Sequence, residues 1–295
     1  MNENLQRFTR ASQTAAASVI STYSTSFGLA THLLGPRHRT HVRSIYAMVR
    51  VADEIVDGVG YEAGLDPDAQ REQLRGYAAR AQSAMETGCS SDLVLHAFAQ
   101  AARASGIGVE HTAPFFTSME ADLDNPAAQG LHVYEGEDYR NYVYGSAEVV
   151  GLMCLKVFLR EERRDAAQLA RLERGARQLG AAFQNVNFLR DLADDTERLN
   201  RSYLTDRAQL TEEAKQAWVR RVETQIHDAK AAVPLLPKDA RAAVRAALAL
   251  FEELSRRVNR TSVPTLYQQR VRVPDPLKGL LAARATLQTL VEVKK

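Results

Sequence analysis

Cysteine is almost absent from this chain of 295 residues: Cys89 and Cys154 stand far apart and form no pattern. That excludes a disulfide framework and a cysteine-built zinc site, and it fits a reducing compartment. Tryptophan occurs once, and 16 glycines and 9 prolines are too few for a fibrous or low-complexity chain. Charge of one sign is lacking as well, because 38 basic residues face 36 acidic ones for a net +2. This removes the bulk electrostatic reason to expect nucleic acid, and no nucleic-acid partner is expected. No run approaches the roughly 18 uninterrupted apolar residues of a spanning helix. The first residues, MNENLQRFTRASQ, have neither the basic nor the apolar region of a signal peptide. A cytoplasmic location is expected, with peripheral contact at the inner membrane face left open.

What is present is an ordinary globular composition, 45% apolar, in a chain about twice the average domain length. Pro36, Pro67, Pro114 and Pro126 punctuate the first half, and residues 127 to 233 contain no proline. Within that span apolar residues recur at three and four (Val149, Leu152, Leu155, Phe158, Leu159, then Leu172, Leu179, Phe183, Val186, Leu189), as on helix faces meeting a core. The same period runs through Val42, Ile45, Tyr46 and Val49, and Asp66-Pro67 reads as a cap and first helical residue. No alternating β-branched run demands a sheet. The expectation is an all-α fold of roughly ten helices in one domain, 1–295.

Two polar stripes interrupt this apolar order. Tyr46, Arg50, Asp53 and Asp57 follow at steps of four, three and four, which aligns them on one helix face opposite Ile45, Val49 and Val56. A solvated face with an ion pair from Arg50 to Asp53 or Glu54 explains that stripe equally well. Gln184, Asn187, Asp191 and Asp195 form the second stripe, flanked by Phe183, Val186 and Leu189. Amides and carboxylates beside a buried seam need partners, and two carboxylates a turn apart repel unless a cation lies between them. Both Asp-x-x-x-Asp pairs are 138 residues apart at each end. Facing one another they would make an oxygen-only cluster of the kind that suits Mg²⁺ and bridges to phosphate. Arg50 and Arg190 could clamp that phosphate, and Phe27, Tyr46, Tyr142 and Phe188 could wall a space for a hydrocarbon tail and a carbocation. His41 shares a helix with Tyr46, is expected to face solvent or a carbonyl, and receives no role.

These residues carry a resemblance. Tyr23-Ser-Thr-Ser-Phe27, Tyr46 to Asp57, Tyr142 to Gly151 and Gln184 to Asp195 are similar to motifs of the squalene and phytoene synthase family of head-to-head prenyl transferases, over roughly residues 15 to 285. The resemblance implies an isoprenoid-synthase fold with a central cavity between two aspartate-rich helices. It implies Asp53 and Asp57 on one group of Mg²⁺ ions and Asn187, Asp191 and Asp195 on another, two or three ions in all. Tyr23, Ser24, Thr25, Ser26, Phe27, Tyr46, Arg50, Tyr142, Gln184, Arg190 and Tyr267 would contact diphosphate or prenyl chain, with Arg50, Tyr46 and the four aspartates as the catalytic set. Two departures stand out: Asp194 where relatives often carry Glu, and Ala147-Glu148 where Ala-Gly is usual.

The expected reaction is condensation of two geranylgeranyl diphosphates to phytoene without NADPH. A squalene or dehydrosqualene synthase using farnesyl diphosphate is the alternative, and a non-catalytic helical interaction protein is the alternative of another class. Thr31, one turn beyond Phe27, is expected to line the prenyl tunnel and favour the longer substrate. Arg270, Arg272 and Lys278, near Leu280 and Leu281, are the candidate for membrane attachment.

Overall fold

The computed structural model describes residues 3–124, 132–197, 201–205 and 209–293. Helices account for nearly all of it. In chain order they are α1 (Glu3–Tyr23), α2 (Thr25–His32), α3 (Pro36–Val56), α4 (Val59–Glu62), α5 (Pro67–Thr87), α6 (Leu93–Ser105) and α7 (Val109–Ala121). There follow α8 (Gly136–Val143), α9 (Val149–Leu159), α10 (Ala166–Arg190), α11 (Leu192–Glu197), α12 (Glu212–Ala232), α13 (Lys238–Arg260), α14 (Val263–Leu266) and α15 (Asp275–Val293).

Local chemistry sets the helix starts. Pro36 opens α3 and Pro67 opens α5, where the Asp66 carboxylate accepts the Ala69 N–H at 2.8 Å as expected. Asp92, Asp165 and Thr211 cap α6, α10 and α12 in the same manner. Other boundaries differ from the sequence reading. Pro114 lies inside α7 and does not end a helix. The proline-free span is broken by a π-helical turn at Tyr144–Glu148, by the 160–165 connection and by a bend at Asp191. The π turn brings Gly145 so close to α7 that a Cβ there would sit 2.2 Å from the Pro114 carbonyl oxygen. Glu148, the unusual residue of its motif, pairs with Arg177 of α10 at 2.6 Å.

Two apolar clusters organise the packing. Ile45, Met48, Leu74, Leu95, Phe98, Phe115 and Met153 join α3, α5, α6, α7 and α9. Val186, Leu189, Val222, Ile226, Leu248 and Leu254 join α10, α12 and α13, with α15 packed on α13. The run Gly136–Leu159 is long and apolar enough to cross a bilayer, yet Val149, Met153 and Val157 are fully buried in the first cluster, and the core accounts for its composition. Where no sheet was expected, His132–Val133 (β1) and Arg201–Ser202 (β2) pair in parallel. The pairing is short, but it sets Tyr134 beside Tyr203 in the second cluster, with the Tyr134 N–H on Ser202 O at 2.9 Å.

Candidate active site

A cavity of about 1280 Å³ opens where the two clusters meet. Every residue expected to hold metal, diphosphate or prenyl chain by resemblance lines it except Tyr267. Tyr267 instead packs with the second cluster, where its hydroxyl accepts the Leu210 N–H at 3.1 Å. Thr31 is also absent from the wall. The chain breaks at Ser24 between α1 and α2, and Thr31 is buried with its hydroxyl donating to Gly28 O at 2.9 Å. His41 is half-buried, and desolvation, then Arg160, pushes its imidazole down to about 4, so it is neutral near pH 7.

The first stripe stands on α3 as its spacing predicted. Arg50 pairs with Asp53 at 2.7 Å and with Glu54, and its guanidinium covers the Tyr23 ring at 4.5 Å. Asp57 terminates α3 and pairs with Arg201 at 2.9 Å. The second stripe is not one helix: α10 stops at Arg190, Asp191 caps it, and Asp195 follows on α11 with its N–H bonded to Asp191 O at 2.9 Å. Asp191 is gripped by Arg190 at 2.5 Å and by Arg270 at 2.6 Å. Arg270 therefore belongs to the cavity. Lys278 points the same way, bonded to Thr25 at 2.6 Å. Arg272 lines the cavity as well, so all three charges of the basic stretch expected at a membrane lie on its wall.

The two carboxylate groups sense each other. Burial, then Asp57, raise Asp53 to about 6 despite Arg50. Asp195 is held well above the usual carboxylate range by burial, then by Asp191 and Asp57. Among the described residues Asp195 has no ion-pair partner, and Asn187 presents a buried Oδ1 with no hydrogen-bond partner. Crowded carboxylates and an orphaned amide oxygen are the surroundings a hard cation relieves. Among the described residues no three acidic, His or Cys side chains stand close enough together to hold a metal ion by themselves. An ion here would have to complete its shell with water and phosphate.

Around Tyr142, which the sequence singled out, stands a group that it did not: Asp122, Tyr134, Arg201 and Tyr203. Asp122, at the end of α7, is fully buried and accepts hydroxyls from Tyr142 at 2.8 Å, Tyr134 at 3.2 Å and Tyr203 at 3.3 Å, while Arg201 lies 3.4 Å away. Desolvation raises its carboxyl above the normal range against the pull of Arg201. Burial also holds Tyr142 and Tyr203 well above the usual phenol range, so both remain protonated. The rest of the wall is apolar: Phe27, Phe251, Leu250, Leu254, Phe115 and Met119, with Phe183 stacked behind Phe251 at 3.7 Å. One side of the cavity is thus charged and the other suited to hydrocarbon.

Comparison with known proteins gives a consistent picture. The profile of the family described as squalene/phytoene synthase matches residues 20–276. A phytoene synthase of Pseudescherichia vulneris is 30% identical over 194 residues, covering 64% of this chain and 58% of that protein. A 4,4'-diapophytoene synthase of Staphylococcus haemolyticus is 27% identical over 178 residues, covering 60% and 56%. The matched part thus spans less than three fifths of either relative. In structure, a dehydrosqualene synthase crystallised with ligand superposes with a TM-score of 0.73 at 22% identity, covering 96% of this chain and 98% of that one.

Proposed function

The chain belongs to the squalene/phytoene synthase family, whose members are prenyltransferases, and on that premise we propose that it joins two geranylgeranyl diphosphates head to head to give phytoene. The observation that carries this reading is the facing pair of carboxylate groups, Asp53 with Asp57 and Asp191 with Asp195, at the mouth of an aromatic-lined cavity. Its volume exceeds the roughly 300–1,000 Å³ of ordinary ligand pockets, as two long tails require. The relative named phytoene synthase supports the longer substrate, and the one named diapophytoene synthase keeps the farnesyl alternative in view.

In this reading Asp53, Asp57, Asn187, Asp191 and Asp195 hold Mg²⁺, which when bound supplies charge neutralisation to the diphosphate. Arg50, Arg190 and Arg270, released from their carboxylate partners, turn to diphosphate oxygens. The donor's C1–O bond breaks, the electron pair leaves with diphosphate, and the acceptor's double bond attacks C1. Loss of a proton closes a cyclopropylcarbinyl diphosphate. That intermediate ionises in turn, rearranges and loses a second proton, so no reductant is consumed and NADPH is not needed. Tyr142 stands on the cavity wall with its hydroxyl on Asp122. It takes a proton from the cation at Oη while passing its own to Asp122 Oδ2. Tyr46 and Phe27 bring aromatic rings to the cavity wall, and these would stabilise the allylic cation.

The test is product analysis after incubation with each prenyl diphosphate and Mg²⁺, with and without NADPH. Phytoene from geranylgeranyl diphosphate, unaffected by NADPH, is expected. Squalene from farnesyl diphosphate, formed only with NADPH, would assign the chain to the other branch of the family.

A further inference from the structure

Outside the main cavity, a second pocket of about 440 Å³ lies at the C-terminal end of α13. Arg256, Arg257 and Arg260 form one wall, and Gln269, Arg270 and Arg272, from the segment between α14 and α15, form the other. Five guanidinium groups meet a single carboxylate, Glu253, which is buried and already engaged by Arg256 and by Arg257 at 2.7 Å. Arg270 is occupied by Asp191. Arg260 and Arg272 have no ion-pair partner among the described residues.

In a chain whose net charge is only +2 this is a strong local excess. The helix dipole accounts for Arg257 and Arg260 in the last turn of α13, since cations are favoured there. It does not account for Arg270 and Arg272, which reach the same hollow from a separate segment. Like charges gathered around a concave surface raise its potential and repel one another until an anion enters, and guanidinium forks match phosphate oxygens. We propose that this arginine pocket is an anion site in its own right, one that takes a phosphate-bearing group such as inorganic diphosphate or a lipid headgroup. Arg270, Val271 and Arg272 line both hollows, so diphosphate released beside Asp191 has a neighbouring site to enter. That link to product release rests on the function proposed above, whereas anion binding itself does not.

Two titrations of the full chain test it, comparing wild type with the Arg256→Gln/Arg260→Gln protein. Glu253 keeps Arg257 in that variant, and neither substituted residue lines the main cavity. In the first arm inorganic diphosphate is titrated in EDTA, where tighter binding by wild type of about tenfold or more is expected from the loss of two charge-assisted contacts. In the second arm flotation compares phosphatidylcholine vesicles with and without phosphatidylglycerol. A difference in the first arm assigns the site to free phosphate anions, and a difference only with phosphatidylglycerol assigns it to headgroups. Equal behaviour of the two folded proteins in both arms overturns the proposal. If the double variant melts early, Arg260→Gln alone, at an exposed and unpaired residue, is compared in the same way. Prenyl transfer by wild type is measured separately, so its absence would defeat the proposed reaction without touching the anion site.

Discussion

Asp53→Asn lowers turnover by on the order of a hundredfold or more while leaving the fold intact, because the stabilisation it removes is given to the departing diphosphate in the transition state. The same substitution makes the metal-free protein more stable near neutral pH. In the folded chain the Asp53 carboxyl is raised to about 6, by burial first and then by Asp57. A raised carboxyl means that the folded state binds its proton more tightly than the unfolded state does, so wild type loses stability as pH climbs from about 4 through 6. Asparagine does not titrate. In EDTA the melting temperature of the variant minus that of wild type therefore grows from pH 4 to pH 7. It shrinks when Mg²⁺ and a diphosphate are supplied, because only wild type gains the full ligand set. Thermal melts at those pH values check the stability half, and steady-state turnover checks the other. Near-normal turnover with a pH-independent difference would remove Asp53 from the metal group.

Asp122→Asn is the second large effect, with a fall in turnover on the order of a hundredfold, the usual contribution of a positioned proton acceptor. Asparagine keeps an oxygen for the Tyr142 hydroxyl, which now stands 2.8 Å from the carboxylate, but it cannot receive the proton. Arg201 retains Asp57 at 2.9 Å, so the wall around it persists. Since the Asp122 carboxyl is raised, wild-type activity should increase with pH above the ordinary carboxylate range as that group ionises, and the variant should lose this limb of the profile. A merely structural role would lower activity and leave the limb in place. Tyr142→Phe should match Asp122→Asn in size, and the two together should cost little more than either alone, as expected for residues acting as one unit.

The difference in how these two residues are found is instructive. Asp53 and Asp57 share a helix, so a step of four in the sequence is already a statement about a surface, and α3 carries them as the spacing predicted. The second stripe was legible for the same reason, although the bend at Asp191 was not: a helix that stops and restarts with Asp195 N–H still bonded to Asp191 O keeps the same period. Asp122, the pair Tyr134 and Tyr142, and the pair Arg201 and Tyr203 come from three separate segments and meet only through tertiary packing. No periodicity announces such a group, and the two-residue pairing of β1 with β2 that helps to assemble it is too short to leave a pattern. Thr31 and Tyr267 show the converse. Each follows in register from a residue or motif near the site, yet Thr31 is buried in α2 with its hydroxyl on Gly28 O, and Tyr267 turns to Leu210. Arg270 read as surface charge because a lone arginine in a loop has no visible partner until Asp191 is found 2.6 Å away.

The central claim is that the two carboxylate groups act together, through a divalent cation, on a diphosphate. It is tested most directly by the melting temperature of the full chain with a non-hydrolysable prenyl diphosphate analogue, Mg²⁺, both or neither. A ligand that binds the native state at a hundred times its dissociation constant stabilises it by about 2.7 kcal/mol. The account predicts a shift of several degrees with both present, little with either alone, and loss of the joint effect in Asp191→Asn. An analogue that stabilises the protein equally with Mg²⁺ or with EDTA, or that fails to stabilise it at saturation, would contradict it.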